Sequence, residues 1–381
     1  MYFRLNPECY LIKGRKLGAI FDLIDGTTYA LDHGETELIN NCENNIQIDK
    51  DNDTLKELKC IRLGNFYDNK IYVPKLKVGS PFVKDDPLVP LYPPEIHRAF
   101  LEINNSCDRE CWYCGYHGVK RSLGCMGCNK WENNDEPLGI ERWREAINEL
   151  EDLDCREIII TGGDLALAWD KTVEILNHAV GRFRQIYLIM HQESLSSEKM
   201  DHLEDKATLI VQTERPDSTK SNHLRYLVVV KSNEHKSKIK EDNTIYDYII
   251  AEENSISKEH PLTSKKKLSG VNMFKFLSHV EYHPCLGHSL TICNNGDVTP
   301  CPMMRNHCFG NIRDKPLYSI FEDSWERINQ FWKLNLDRIE KCTGCEFRYS
   351  CSDCRALEER LTGKIDGKAL CNYNPREGIW T

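Results

Sequence analysis

The stretch NNSCDRECWYCGYHG, residues 104–118, places Cys107, Cys111 and Cys114 within eight residues, separated by three and then two others. Tetrahedral zinc and ordinary iron-sulfur clusters both take four protein ligands, so a group of three thiolates is one short. Three thiolates on one side of a loop can hold three irons of a cubane cluster and leave the fourth open to a small-molecule ligand. A second concentration lies in the tail, where nine of the eighteen cysteines fall between residues 285 and 371. There CTGCEFRYSCSDC carries Cys342, Cys345, Cys351 and Cys354, flanked by Cys285, Cys293, Cys301 and Cys308 before it and Cys371 after it. Paired C-x-x-C groups also suit tetrahedral zinc. Disulfides are the weaker reading in a long chain whose first residues, MYFRLNPECY, carry no apolar signal segment.

The elements needed to position the triplet are written around it. RAFLEI, from residue 98, leads into the cysteines as a strand. GIERWREAINELEDL sets Ile140, Trp143, Ile147 and Leu150 on one helical face, and REIIITGGD is a buried strand ending in glycines. KTVEILNHAV, QIYLIM, ATLIVQ, LRYLVVVK and YDYIIAE continue the alternation. Repeated βα units predict a parallel sheet with right-handed crossovers, closed or nearly closed as a barrel, with functional groups at the carboxyl ends of its strands. The cysteine triplet and TGGD, residues 161–164, both stand at such ends.

Before residue 95 the grammar differs. LGAIFDLIDGTTYALD reads as two strands joined at Asp25-Gly26, HGETELINNCENN as a short helix, and KIYVPKL as a further strand after polar, Asn/Asp-rich sequence. The proline-rich VKDDPLVPLYPPE, residues 83–95, reads as a linker. LYSIFEDSWERINQFWKL is an amphipathic helix within the turn-rich, cysteine-dense tail, whose composition predicts a metal-stapled domain.

At 381 residues, 40% hydrophobic and 29% charged, the chain reads as a globular protein long enough for two or three domains. Its net charge of −9 excludes a general nucleic-acid backbone binder, which needs a cationic face. No apolar run approaches the length of a membrane span, and the expected location is cytoplasmic.

The triplet, following a strand and with Tyr113 immediately before its third cysteine, resembles the cluster motif of the radical S-adenosylmethionine (SAM) enzymes. The resemblance implies that Cys107, Cys111 and Cys114 hold a four-iron cluster whose unique iron takes the amino and carboxylate groups of SAM, with Tyr113 near the adenine. In that family the reduced cluster cleaves SAM to a 5′-deoxyadenosyl radical, which abstracts a substrate hydrogen. Gly162, Gly163 and Asp164 stand where the family has two glycines and a glutamate that receive the SAM amino group; aspartate replaces the glutamate, and the usual following proline is missing. Gln212 and Glu214, in QTERPDS, stand where polar residues meet the ribose, without the usual Ser-x-Asp-Gly pattern.

The tail resembles the SPASM extension of the same enzymes, which holds two auxiliary four-iron clusters. By that resemblance one takes Cys342, Cys345, Cys351 and Cys371, and the other takes Cys285, Cys301 and Cys354, with Cys293 and Cys308 competing for its fourth place. CSDC has two residues between its cysteines where the commonest form has three. The first 80 residues resemble the small winged-helix domain with which peptide-modifying enzymes grip a leader peptide by adding it to a sheet edge.

The expectation is therefore an α/β protein with three parts: an N-terminal winged-helix-like α+β module and linker over 1–95, a partial (β/α)6 TIM-like barrel over 96–282, and an iron-sulfur domain over 283–381. The expected activity is modification of a ribosomally made precursor peptide, closing a thioether or carbon-carbon cross-link, with flavodoxin or ferredoxin as reductant. Formylglycine formation as in sulfatase maturation, peptide epimerisation, and a non-enzymatic iron-sulfur electron-transfer or binding protein are the alternatives. Cys125 and Cys128 form a further C-x-x-C read as a local structural pair. Cys9, Cys42, Cys60 and Cys155 read as core or surface thiols, and His117 as a packing histidine.

Overall fold

The computed structural model describes residues 1–77, 96–111, 128, 136–216, 223–230, 244–248, 268, 270–351 and 353–381. The chain is mixed α/β and divides into two compact units. One joins Met1–Pro81, Pro261–Pro284 and Lys333–Thr381, and the other joins Phe82–His260 and Cys285–Trp332. The cysteine-rich tail is thus divided between the two, and the first and last segments of the chain share a unit.

The first unit begins with β1 (Tyr2–Leu5), β2 (Cys9–Lys13), β3 (Gly18–Asp22), β4 (Thr28–Leu31), α1 (His33–Glu43), α2 (Asp53–Cys60) and β5 (Gly64–Tyr67). β2, β3 and β4 form an antiparallel meander, and β1 pairs antiparallel with β5. The expected turn between β3 and β4 is present, with Gly26 at φ 73°, a conformation few side chains tolerate. α1 opens on a capping box: Asp32 accepts from the Glu35 N–H while the Glu35 carboxylate accepts from the Asp32 N–H. The polar, Asn/Asp-rich stretch contains α2, whose buried residues are Leu55 and Leu58. One correction belongs here. KIYVPKL, read as a strand, runs as irregular chain, its C-terminal end held by the Leu76 N–H on the Pro7 carbonyl and by Lys75 Nζ on the Cys9 carbonyl.

The second unit is built on a sheet of nine strands: β6 (Arg98–Asn104), β7 (Glu157–Gly162), β8 (Gln185–His191), β9 (Thr208–Thr213), β10 (Leu224–Val230), β11 (Thr244–Tyr248), β12 (Ser289–Ile292), β13 (Asp297–Thr299) and β14 (Gly310–Asn311). β6 to β11 are neighbours in chain order and all parallel. β12 adds in parallel on the other side of β6, and β13 and β14 continue as antiparallel hairpin strands. Between strands run α3 (Ile140–Asp152), α4 (Trp169–Ala179) and α5 (Ser197–Leu203). α3 buries Trp143, Ala146, Ile147 and Leu150, close to the expected face, while Ile140 is only half-buried. Phe100, Ile159, Ile189, Ile210 and Leu227, one from each of five adjacent strands, form a continuous apolar layer.

The remainder of the first unit comprises α6 (Met273–Glu281), α8 (Glu340–Thr343), α9 (Arg355–Thr362), β15 (Tyr373–Asn374) and β16 (Ile379–Trp380), while α7 (Leu317–Trp332), the expected amphipathic helix, belongs to the second. Ala19, Phe21 and Leu23 of β3 and its turn pack with Val271, Phe276, Phe347, Tyr349 and Tyr373, so distant segments share one core. No helix among the described residues is long and apolar enough to cross a membrane. The linker 83–95, Cys125 and His117 lie outside the described residues.

Candidate functional site

In the second unit, β6 and β7 end side by side, with Asn104 paired to Gly162. The chain leaving β6 carries Cys107 and Cys111, both half-buried; Cys114 and Tyr113 lie outside the described residues. The two loops are laced together. Gly163 N–H donates to the Asn104 carbonyl at 2.7 Å, Asp164 N–H to the Ser106 carbonyl at 2.8 Å, and Asn104 Nδ2 to the Asp164 carbonyl at 2.7 Å. This closeness explains both glycines. A Cβ on Gly162 would stand 2.0 Å from the Asn104 carbonyl oxygen, at φ 143°, and one on Gly163 would stand 2.3 Å from that of Ser106.

Asp164 is 6% exposed, and its carboxylate is occupied by the protein itself. Oδ1 accepts from the Ala166 N–H at 3.0 Å, capping the short helical turn 165–168; Oδ2 accepts from Ser194 Oγ at 2.8 Å and from Arg109 Nε at 3.3 Å. Arg109 lies between Cys107 and Cys111 and also donates to Glu193 at 2.5 Å. The carboxylate that the sequence reading gave to a ligand thus anchors the cysteine loop. Gln212 is 1% exposed, and its Oε1 accepts from the Cys128 N–H at 3.0 Å. Cys128 in turn lies against the apolar layer of the sheet.

Beyond the ends of β8 and β9 the sheet opens into a wide cleft lined by Cys111, Arg109, His191, Glu193, Glu214 and Arg215 among others. Glu214 is where the sequence placed it, at a strand end facing this opening. His191, Arg109 and Arg215 were not singled out in sequence. The rule that strand ends carry chemistry could have found His191, the last residue of β8. Burial and the neighbouring Arg109 guanidinium hold His191 below the ordinary histidine value despite Glu193, Asp164 and Glu214, which favours the neutral imidazole.

A second arrangement stands in the first unit. Cys342 on α8, Cys345 just after it, Cys351 at the end of the turn 348–350, and Cys371 before β15 all line one cavity, with apolar walls from Leu336, Phe347 and Trp380. The C-x-x-C turn is closed by the Cys345 N–H on the Cys342 carbonyl at 2.9 Å, and Lys341 Nζ holds the Cys371 carbonyl at 2.9 Å. Burial pushes the Cys342 and Cys345 thiols well up, so they ionise only with a strong cationic partner. Among the described residues no three His, Cys, Asp or Glu side chains are gathered around the position of a single metal ion. Four thiols facing a shared volume with apolar walls fit a four-iron cubane, which itself brings the cationic irons.

That cavity also carries a buried cation. Lys368, its side chain 1% exposed, pairs with Asp353 at 2.6 Å and Glu358 at 3.0 Å. Burial opposes its charge, yet Asp353, the cysteine sulfurs and Glu358 hold it well above the ordinary lysine value. Burial likewise opposes the Asp353 carboxylate, but Lys368, His283 and Arg355 keep it well below the ordinary aspartate value.

In the second unit the Thr299 hydroxyl lies 3.9 Å from Cys293 Sγ and donates to the main-chain carbonyl of Cys301 at 3.1 Å. Cys308 Sγ instead turns to the Gly310 carbonyl at 3.3 Å and to Asp297. Cys285 is half-buried in the chain before β12, and Cys354, half-buried, caps α9 in the first unit.

Fold and site together define a thiol-rich protein with a cleft at the carboxyl edge of a parallel sheet and a cavity lined by four cysteines. Residues 285–346 match the SPASM family, an iron-sulfur cluster-binding domain, in agreement with the sequence expectation for the tail. Among solved structures the chain is similar to Streptococcus suis SuiB, at 12% identity over 94% of this chain and 96% of that one, with a TM-score of 0.45. The same protein bound to precursor peptide SuiA gives 11% identity over 94% and 97%, with a TM-score of 0.47. Histidine-tagged anSMEcpe with bound AdoMet gives 14% identity over 74% and 93%, with a TM-score of 0.44. No curated protein matches the chain in sequence.

Proposed function

We propose that the protein is a radical SAM/SPASM maturase that modifies a ribosomally made precursor peptide, closing a thioether or carbon-carbon cross-link. The observation that carries this is the joining of two sites in one chain: a cysteine loop laced to a glycine turn at the sheet's carboxyl edge, and a cavity lined by four thiols in a tail that matches the SPASM family. A reduced four-iron cluster with SAM supplies a carbon radical able to remove hydrogen from an unactivated position.

The chain's own residues take these roles. Cys107, Cys111 and Cys114 hold the first cluster, with Tyr113 against the adenine. Gly162 and Gly163 let the cysteine loop lie directly on β7, and Asp164 fixes it through Arg109. Glu214, Arg215 and His191 face the cleft, where charged and polar groups can bind and orient SAM and substrate. Gln212 secures Cys128 over the sheet. Cys342, Cys345, Cys351 and Cys371 hold one auxiliary cluster. Cys285, Cys301 and Cys354 hold the other, with Cys293 and Cys308 competing for its fourth place.

Six parallel strands in chain order support a partial (β/α)6 barrel within 96–282. The β2–β4 meander with α1 and α2 supports a leader-binding, winged-helix-like module in 1–95, and residues 283–381 form the iron-sulfur part. Flavodoxin or ferredoxin would supply the electron, in a cytoplasmic setting. The test is anaerobic reaction with a precursor peptide encoded beside the gene. A peptide mass change with release of 5′-deoxyadenosine is expected, and Cys111→Ala should abolish both. Cleavage of SAM without any change in peptide mass would overturn cross-linking and leave epimerisation; no cleavage at all would overturn the enzyme reading.

A further inference from the structure

The cavity lined by Cys342, Cys345, Cys351 and Cys371 has three basic neighbours, Lys341, Arg348 and Lys368, and they are not equivalent. Lys341 reaches out to the Cys371 carbonyl from an exposed position. Arg348, its side chain 13% exposed, is paired with Asp337 at 2.6 Å, whose carboxylate is 36% exposed and also accepts from the Tyr349 hydroxyl. Lys368 is removed from solvent, and both of its acidic partners are themselves fixed. Asp353 accepts from Arg355 Nε and Nη2, each at 2.5 Å, and lies 2.9 Å from His283 Nε2. Glu358 accepts the Ala369 N–H at 2.5 Å and the Leu370 N–H at 3.2 Å, from the segment leading to Cys371. The loop carrying the last cysteine and the acid holding the lysine are therefore one rigid piece. The ammonium cannot swing away from the cavity wall without breaking both of its buried ion pairs, with Asp353 and with Glu358.

A charge fixed in a desolvated wall is little screened by water or side-chain motion, so removing it changes the field on whatever electron density occupies the cavity, and Asp353 and Glu358 act with the opposite sign. Adding one electron to a four-thiolate cluster makes it more negative, and the potential of such clusters is set by net charge, hydrogen bonding and exposure. We infer that Lys368 raises the reduction potential of the centre held by Cys342, Cys345, Cys351 and Cys371, adapting it to accept electrons. The inference rests on the proposed cluster at those four cysteines. Lys368 acts through the cluster and is a positioned charge, not a catalytic residue.

The experiment is a redox titration of the anaerobically reconstituted full chain, followed by electron paramagnetic resonance, in wild type, C345A, K368M, K368R and E358Q. C345A tests the underlying reading: it should remove one of three midpoints and about four irons per chain. Unchanged iron and three unchanged midpoints would sink that reading. With the midpoint so assigned, K368M should move it to more negative potential, K368R should restore it toward wild type, and E358Q, which removes a nearby negative charge, should move it to more positive potential. The other two midpoints should stay in place. If K368M does not hold its full iron, E358Q carries the test with the opposite sign. An assigned midpoint that stays put in the iron-replete variants would overturn the inference while leaving the cluster assignment standing.

Discussion

Asp164 satisfies three donors at once: a backbone N–H, a serine hydroxyl and a guanidinium. That makes it worth far more than its neighbour Glu193, which pairs with the same arginine from an exposed position. Asp164→Ala should cost about 3 kcal/mol, since it leaves buried polar groups unpaired, whereas Glu193→Ala should stay within about 0.5 kcal/mol. Equal shifts of the thermal midpoint in the two variants would contradict the anchoring role. Gly162→Ala should be worse still, because its Cβ would meet the Asn104 carbonyl in a conformation alanine avoids; a loss of more than about 3 kcal/mol, with iron no longer retained at Cys107 and Cys111, is expected. At this scale the sequence was legible where spacing carries meaning. The triplet and TGGD announce themselves, but nothing local links Asp164 to Ser194, 30 residues on, and a single histidine such as His191 has no spacing to read. The partners of Asp164 within the chain, Ser194 and Arg109, come from other loops and could not be read beside it.

Elements were legible in proportion to their length and apolar content. β7, with three consecutive isoleucines, could be nothing but a buried strand, and the parallel order from β6 to β11 follows from the helices between. β12 was missed: SLTI is four residues in a turn-rich tail, and only its parallel pairing with β6 makes it part of the sheet. α2, capped by Asn52, has just two buried residues and so little apolar period of its own. α3 offers the element-scale test, since its Trp143 is fully buried and Ile140, on the face read from sequence, is not. Trp143→Ala should lower stability by about 3 to 5 kcal/mol, and Ile140→Ala by no more than about 1 kcal/mol. Denaturant titrations of the two proteins check the ordering, and a larger loss at Ile140 would mean that the helix packs by another face.

At the scale of the molecule, the first unit gathers three separated segments into one core, which no local pattern could announce. α6, from the middle of the chain, is locked to the tail by a polar contact: His279 Nδ1 lies 2.7 Å from the Tyr349 carbonyl, so that nitrogen carries the proton and donates. Burial pulls His279 down to about 4, against the pull of the Tyr349 carbonyl, with Lys275 and His283 adding to the depression. The unfolded chain protonates the same ring near the ordinary value of about 6.5. The folded state therefore binds this proton less readily, and the contribution is intact above pH about 6.5 and lost as pH falls from there toward 4. Between pH 7.5 and 5.5 the loss should be about 1.4 kcal/mol. His279→Gln keeps an amide N–H able to donate to the Tyr349 carbonyl but cannot titrate. Comparing the unfolding midpoints of wild type and H279Q at the two pH values cancels every other group that titrates in that range, including any acid lability of bound clusters. The wild type should lose more than the variant on acidification, and an identical loss in both would show that the contact joining α6 to the tail does not depend on the neutral ring.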